Sequence, residues 1–457
     1  MKRRFFSVRY RYPAGRSTSR ASLCTATTRT CSPYVHIDGV EQLQEYRPGG
    51  YHPVLVGNLF NDRYRIIDKL GYGTFSTTWL ARDERRRTYV AVKIGMASTG
   101  AQEADVLTQL SRRGNQAQPS AQQIGHTSAL IPSVLDRFIV DGPNGRHPCL
   151  VTALARCSLA DAKEASGSRL FQLDVARSLA AQMALALAYV HSQGYIHGDL
   201  HLGNALLRLP KDIDASEEQF YEQFGRPQPE SVRRMDRQPL PPGVPPFVYP
   251  SAWLGCASHA LPLSEARMVL TDFGVAYRAK DEARVGYHAP RDVRPPESRF
   301  APTVPQSFAS DIWTLGCAIW EILGQRPLLD SFLFTDDDVT ADQVDVMGPL
   351  PPEWWAAWGD ERSTRFVANE QPREGRSVWS WEQRFEDGIQ MPRRDRGWDT
   401  IGAAEQAALW SMLRGMLVFQ PEDRLSADQV IDTAWMQRWA LPAYDESTVN
   451  MNLRGHV

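Results

Sequence analysis

The hydrophobic and polar positions divide the chain into a strand-rich part followed by a helix-rich part. Between residues 64 and 155, β-branched and aromatic runs such as YRIID, TTWLAR and TYVAVK are separated by chain-breaking residues, and this pattern predicts strands. One stretch inside this part, AQEADVLTQLS at residues 101–111, has a helical composition instead. The pattern therefore predicts strands with one helix among them.

Later segments have apolar residues at the spacing of buried helices. Residues 171–194 predict a helix that ends at Gly194, because apolar residues recur every three or four positions. These apolar positions are Leu173, Ala176, Leu179, Ala180, Met183, Leu187 and Val190. The segments 311–324 and 404–417 are apolar on nearly every side, which is typical of helices in the core of a helical lobe. A length of 457 residues leaves room for two lobes with tails.

A proline-rich stretch interrupts the helical part. Between Leu209 and Ala266 lie 58 residues that contain ten of the chain's 31 prolines. Because proline lacks an N–H group and fixes φ, the run PLPPGVPPFVYP at 239–250 fits neither a helix nor a central strand. We interpret the stretch as an insert or a mobile spacer.

Composition narrows the class of protein only slightly. The formal net charge is −2, so no overall field favours nucleic acid or a membrane surface. The six cysteines form no CxxC pair, so neither a zinc site nor a disulfide framework is indicated, and a reducing compartment fits best. No apolar run reaches the roughly 18 residues that a membrane-spanning helix needs.

The first 35 residues have an unusual composition. They contain eight Lys and Arg residues and many Ser and Thr residues, and no acidic residue precedes Asp38. A disordered basic tail and a mitochondrial targeting segment both have this composition, and both interpretations stay open.

The first candidate for chemistry is a glycine-rich turn, GYGTFSTTW at residues 71–79. Gly71 and Gly73 would let backbone N–H groups approach phosphate oxygens without a side-chain clash. Ser76 stands where the GxGxxGxV pattern has its third glycine, and Thr78 stands where it has valine. A plain hairpin turn is the alternative interpretation.

A lysine follows this turn at the end of the apolar strand YVAVK. Lys93 is expected to neutralise phosphate charge, with Glu103 on the next helix as the anion that holds it in place. The alternative is an unrelated surface lysine and surface glutamate.

Two further motifs supply carboxylates and an amide. In YIHGDLHLGNALL (195–207), Asp199 is the candidate to accept the proton of a substrate hydroxyl, and Asn204 is the candidate to hold a magnesium ion. In VLTDFGVAY (269–277), Asp272 is the candidate ligand for the Mg²⁺ that bridges phosphates.

Taken in this order, the four motifs resemble those of the eukaryotic protein kinases. The resemblance covers about residues 50–440. RPPE ends at Glu297 where the family has APE, and DIWTLG supplies the expected Asp311 and Gly316. Arg424 matches the arginine that pairs with that glutamate in this family.

A narrower resemblance is to the SR-protein kinases, especially their fungal relatives. It is carried by residues 49–83 and 142–151, and by the position of the spacer between Asn204 and Asp272. It implies phosphorylation of Arg/Ser-rich splicing factors in the nucleus and cytoplasm, and so a role in mRNA splicing. It also implies a monomer that contacts protein substrates and has no direct nucleic-acid or membrane partner.

The resemblance implies an α+β fold with two lobes. A tail at 1–45 would precede a small lobe at 46–155, made of an antiparallel sheet with one helix. A mainly helical large lobe at 156–440 would contain the insert at 209–266, and a second tail would follow at 441–457.

It also implies a serine/threonine protein kinase that holds ATP and Mg²⁺ between the lobes. The implied catalytic residues are Lys93, Glu103, Asp199, His201 and Asn204, and the implied metal ligands are Asn204 and Asp272. The implied ATP-binding residues are Leu70, Gly71, Gly73, Ser76, Thr78, Ala91, Lys93, Thr152 and Leu154.

Two positions of the catalytic loop also depart from the usual kinase pattern. Gly198 replaces the Arg of HRD, which usually meets a phosphorylated activation loop, and the segment from Asp272 to Glu297 contains no Ser or Thr. These facts predict activity without loop phosphorylation. His201 stands where a catalytic-loop lysine would contact the γ-phosphate, and a neutral imidazole stabilises less charge.

These departures keep two other functions open. HGDLHLGN also resembles the catalytic loop of choline and aminoglycoside phosphotransferases, whose acceptors are small molecules. A binding module without catalysis is the second alternative, suggested by Ser76, Thr78 and His201.

An acidic stretch at residues 333–354 is a candidate docking surface for an Arg-rich substrate. Asp338 and Asp345, seven residues apart, are expected on one helix face and match acidic positions of the resembling family. The alternative is that acids simply favour a helix N-terminus. The nearby Trp354, Trp355 and Trp358 are predicted to pack inside the lobe.

Overall fold

The computed structural model describes residues 32–114, 128–210, 213–329, 335–367 and 371–454. Residues 1–31 of the predicted basic tail lie outside the described ranges.

The strands form one large sheet and three small ones. They are β1 (Leu59–Phe60), β2 (Tyr64–Gly73), β3 (Ser76–Asp83), β4 (Thr88–Gly95), β5 (Asp136–Gly142), β6 (Gly145–Ala153), β7 (Ala155–Ser158), β8 (Tyr195–Ile196), β9 (Ala205–Arg208), β10 (Glu230–Ser231), β11 (Phe247–Val248), β12 (Met268–Leu270) and β13 (Tyr277–Arg278). The large sheet is antiparallel, with the order β1-β2-β3-β4-β6-β5. The small sheets are β12-β9-β7, β13-β8 and β10-β11.

Most helices follow the large sheet in the chain. They are α1 (Gln102–Gly114), α2 (Leu159–Glu164), α3 (Leu173–Ser192), α4 (Glu217–Phe224), α5 (Glu297–Phe300), α6 (Phe308–Leu323), α7 (Asp336–Met347), α8 (Pro352–Ala357), α9 (Glu361–Arg365), α10 (Trp381–Phe385), α11 (Met391–Arg394), α12 (Ala403–Met416), α13 (Ala427–Ile431) and α14 (Leu441–Arg454). The predicted α+β class with two lobes is confirmed, with the large sheet and α1 in the small lobe.

The core of the large lobe is built around α3. All seven apolar positions predicted for this helix are buried, and Gly194 follows it with a φ of +81°. By length and composition α3 could cross a membrane, but 83% of its most apolar window is buried inside the molecule, as in the core helix of a folded domain. The predicted helices at 311–324 and 404–417 are α6 and α12, which pack into the same core.

The three tryptophans after α7 pack inside the large lobe, as predicted. Trp354, Trp355 and Trp358 are all less than 10% exposed. They form a cluster with Phe366, whose ring centroid lies 5.4 Å from that of Trp355.

The proline-rich insert packs against the folded lobes, its earlier part on the small lobe and its last part on the large lobe. Phe220 and Tyr221 of α4 join a buried cluster with strand residues such as Leu80. Further on, the Tyr249 ring packs edge-on against Trp79, with centroids 6.0 Å apart. The prolines prevent long regular elements, but the apolar residues between them still bury their side chains.

A buried ion pair joins two distant parts of the large lobe. Arg424 donates two hydrogen bonds, of 2.8 and 2.7 Å, to the carboxylate of Glu297 at the start of α5. The side chains are 0% and 4% exposed. The pair therefore fixes the end of the segment that begins at Asp272.

Removing one partner of this pair should strongly destabilise the protein. Arg424→Leu leaves the Glu297 carboxylate buried without its partner, which we expect to lower the free energy of unfolding by about 3–5 kcal/mol. Urea denaturation measures this. As the control, Arg137→Leu breaks an exposed pair with Asp105 and should cost less than about 1 kcal/mol. Equal losses in the two variants would contradict the role given to the buried pair.

Candidate active site

A lysine joins the two lobes at the cleft. The Nζ of Lys93, a residue of β4, lies 2.7 Å from Glu103 of α1 and 2.9 Å from Asp272 of the large lobe. From the sequence, we expect Lys93 to pair with Glu103 and Asp272 to lie at the same phosphate site. The structure brings all three together.

The charges at this junction stabilise one another. Burial alone would lower the pKa of Lys93, but the carboxylates of Glu103 and Asp272 raise it overall. Burial alone would raise the pKa of Asp272, but Lys93 lowers it overall. The lysine is therefore a fixed cation at neutral pH, and Asp272 is a fixed anion.

The catalytic-loop carboxylate is held on one side only. The Asn204 amide donates to the Asp199 main-chain oxygen at 2.8 Å and to its Oδ2 at 3.1 Å. The second carboxylate oxygen, Oδ1, is buried and has no hydrogen-bond partner among the described residues. Asp199 is thus oriented by Asn204 and has one oxygen left to accept a proton.

The loop is anchored by Asp311 of α6, a residue that the DIWTLG motif singled out without indicating its contact with this loop. Its carboxylate accepts the backbone N–H groups of His197 (2.8 Å) and Gly198 (2.9 Å). It also bonds to the His191 ring at 2.9 Å. Gly198 adopts a φ of +78°, so the turn that presents Asp199 depends on glycine.

The segment carrying Asp272 crosses the same loop. Thr271 donates through its N–H and its hydroxyl to the Asn204 main-chain oxygen, at 2.7 and 2.9 Å. Phe273 is fully buried and packs edge-on against the His197 ring at 4.9 Å. Thr271, the residue before Asp272, is therefore bonded to the main chain of Asn204, and this fixes Asn204 and Asp272 relative to each other.

His201 faces the catalytic carboxylate. Its Nδ1 accepts the N–H of Gly203 at 3.1 Å, and its Nε2 lies 3.7 Å from Asp199 Oδ1. Because Nδ1 is used as an acceptor, the ring proton resides on Nε2, on the side of Asp199. The side chain caps the short helical turn at Leu202–Asn204 and does not extend like a lysine.

The predicted nucleotide residues lie along neighbouring strands. Thr78 pairs with both Gly71 and Lys93, and Ala91 pairs with Thr152. Intermediate exposure is shared by Leu70, Ser76, Thr78, Ala91, Lys93 and Thr152. Gly73 is exposed, and Leu154 is buried.

The residues present fit Mg²⁺ by their chemistry. Asn204 and Asp272 offer amide and carboxylate oxygens, the ligand type that Mg²⁺ prefers. No group of three or more His, Cys, Asp and Glu among the described residues could enclose a metal alone. Such a site suits a magnesium ion that takes its other ligands from phosphate and water.

The acidic helix α7 is paired internally. Asp338 lies 2.7 Å from Arg365 and is 14% exposed, and Asp345 lies 2.7 Å from Arg376 and is 4% exposed. Asp338 also completes a capping box with Thr335. Both candidate docking residues therefore already bind arginines of this chain, which spacing along a helix cannot reveal.

This fold and this site are those of a protein kinase of the eukaryotic type, with a lysine–glutamate pair, the Asp199 carboxylate, and an asparagine and an aspartate whose oxygens suit Mg²⁺. No family model matches the chain. A serine/threonine protein kinase of Aspergillus fumigatus is 26% identical over 87% of this chain and 90% of the relative. The serine/threonine-protein kinase SRPK of Physarum polycephalum is 24% identical over 87% of this chain and 91% of the relative. SRSF protein kinase 3 of Homo sapiens is 30% identical over 47% of this chain and 38% of the relative.

The chain is a serine/threonine protein kinase, and its relatives from Physarum polycephalum and Homo sapiens are kinases of the SRPK type. The resemblance found in the sequence is confirmed.

Glycine at position 198 should be required for catalysis as well as for stability. A Cβ there would lie 2.8 Å from the Gln306 Oε1, and alanine at a positive φ costs roughly 1–2 kcal/mol. Because a small displacement of Asp199 misplaces the base, we expect Gly198→Ala to lower kcat about tenfold or more.

The matched control for this variant is Gly348→Ala. Gly348 also has a positive φ of +94°, but a Cβ there would meet nothing within 4 Å. It should lose similar stability and keep its kcat in steady-state kinase assays. Equal kcat in both variants would disprove the link between Gly198 and Asp199.

Proposed function

We propose that the chain transfers the γ-phosphate of MgATP to a serine or threonine hydroxyl of a protein substrate. The observation that supports this proposal is the geometry of Asp199: Asn204 holds one carboxylate oxygen, and the other has no hydrogen-bond partner among the described residues. The substrate hydroxyl oxygen forms the new bond to the γ-phosphorus, the bond from that phosphorus to the leaving oxygen of ADP breaks, and Asp199 accepts the hydroxyl proton. Lys93 would neutralise phosphate charge from its place between Glu103 and Asp272.

Bound Mg²⁺ would supply charge neutralisation at the phosphates. Asn204 and Asp272 are the residues proposed to hold it.

We also propose that this kinase is active without phosphorylation of its activation loop. Gln306 holds the loop through hydrogen bonds from its N–H to Arg284 O (2.9 Å) and from its amide to Gly286 O (2.8 Å). Tyr277 donates to Gln306 O at 2.7 Å, and Arg284 donates to Val275 O at 3.1 Å. These bonds support the loop at the place where other kinases pair a phosphate with arginine.

Phosphate transfer tests the proposed reaction. Phosphatase-treated protein is given radiolabelled MgATP with an Arg/Ser-repeat peptide, a generic basic protein, choline or an aminoglycoside. We expect labelling of the peptide, and a fall of about 10²–10⁴-fold in kcat for Asp199→Asn, because the general base is lost. Thermal unfolding of the variant checks that it is folded.

Three other outcomes would contradict these proposals. Transfer to choline or the aminoglycoside alone would move the chain to the small-molecule phosphotransferases. ATP binding without transfer would support a binding module. Activity that disappears after phosphatase treatment would overturn the proposal about the loop.

We propose Arg/Ser-rich proteins as the substrate class. The support is the human relative, which is an SRSF protein kinase, and the acidic helix α7. Since Asp338 and Asp345 already pair with Arg365 and Arg376, a substrate arginine would have to exchange with an arginine of the chain. A substrate arginine that docks on α7 would therefore compete with Arg365 or Arg376 for these carboxylates.

Freeing one carboxylate tests this exchange. Arg365→Ala should expose Asp338 and lower the KM for an Arg/Ser peptide several-fold, whereas Asp338→Asn should raise it, because the charge is lost. A serine peptide without arginine is the control and should keep its KM in both variants. Docking at Asp338 would be excluded if the KM changed in the same way for both peptides. It would also be excluded if the two variants did not shift the KM for the Arg/Ser peptide in opposite directions.

A further inference from the structure

The glycine-rich turn between β2 and β3 has little support from its own side chains. A Cβ on Gly71 or Gly73 would meet nothing within 4 Å. Tyr72 and Phe75 are 47% and 52% exposed. Beyond the pairing of β2 with β3, the position of this turn therefore depends on contacts from other segments.

A tyrosine from the segment before β1 makes such a contact. The Tyr51 hydroxyl donates to Gly73 O at 2.7 Å and lies 3.3 Å from Thr74 O. Its side chain is only 3% exposed, and burial raises the pKa of Tyr51 to about 12. The hydroxyl therefore keeps its proton at neutral pH and acts as a donor to the main chain of the turn.

The main chain of Tyr51 is held in turn by the hairpin between β5 and β6. The buried Asn144 amide donates to Tyr51 O at 2.7 Å, and Gly49 donates to Asn144 O at 2.8 Å. The same Asn144 amide donates to Gly243 O, also at 2.7 Å. Gly243 belongs to the proline-rich insert, so one side chain joins the insert to the support of the turn.

Apolar packing strengthens this link. Val232, Val244 and Val248 of the insert share a buried cluster with Tyr46 and Tyr51. Further residues of this cluster are Tyr34, Leu43 and Met96. The insert therefore covers the segment that holds Tyr51.

We propose that Tyr51 is a positioning residue for nucleotide binding and that the proline-rich insert fixes it through Asn144. Holding the Gly73 carbonyl sets the direction of the neighbouring N–H groups, which are the groups that approach phosphate oxygens. The inference rests on the nucleotide site proposed above.

Tyr51→Phe removes only the hydroxyl. We expect the KM for ATP and the Kd for a fluorescent ATP analogue to rise about fivefold, the size of one lost hydrogen bond. The KM for the peptide and the kcat at saturating ATP should stay within about twofold, because Tyr51 makes no contact with Asp199. Amide hydrogen exchange in residues 71–76 should become faster, which a loss confined to global stability would not produce selectively.

Gly243→Ala tests the part played by the insert. A Cβ at Gly243 would overlap the Asn144 amide, so Asn144 has to move away from Tyr51. The same rise in the KM for ATP is expected. Met235→Ala, at a side chain of the insert that is 68% exposed, is the matched control and should behave as the wild type.

The outcomes separate this inference from the proposed function. A wild-type protein that binds no ATP analogue would sink both. Normal binding by the wild type together with unchanged Kd and exchange in Tyr51→Phe would overturn the role of Tyr51. A change in Tyr51→Phe but none in Gly243→Ala would remove the insert from the proposal.

Discussion

The buried carboxylate of Asp311 is the constraint on which the catalytic loop depends. A carboxylate that is 2% exposed has to recover in hydrogen bonds what it loses in hydration, and here the donors are the N–H groups of His197 and Gly198. Asp311 sits on α6, inside the core of the large lobe. The buried core of the large lobe thus determines where the loop turns, and Asp199 is the next residue after that turn.

The junction at Lys93 extends this constraint to the small lobe. Its cation is shared between Glu103 of α1 and Asp272, whose neighbour Thr271 is bonded to Asn204. A displacement of α1 would remove Glu103 from Lys93 and leave the lysine held by Asp272 alone. The position of the small-lobe helix and the geometry of the large-lobe loop are therefore linked by electrostatics across the cleft.

The features that could be predicted from the sequence are those that depend on residues close together in the chain. The helix α3 was predictable because its burial repeats with the helical period, and the Lys93, Asp199, Asn204 and Asp272 motifs because each is contiguous in the chain. The arginine partners of α7 and the contact of Tyr51 with the glycine-rich turn depend on residues that meet only after folding. The sequence left open whether the proline-rich stretch is a packed insert or a mobile spacer, because proline content indicates a lack of regular structure and gives no information about burial.

The absence of an arginine at position 198 and the hydrogen bonds of the activation loop explain each other. A phosphate paired with arginine brings one to three charge-assisted hydrogen bonds to a loop. Three neutral bonds and one bond from the charged Arg284 guanidinium, at about 1 kcal/mol or more each, supply support of a similar size. An arginine at position 198 would need a strained φ and would collide with Gln306, the residue that makes most of these bonds. Glycine at this position is thus part of the way the loop is held.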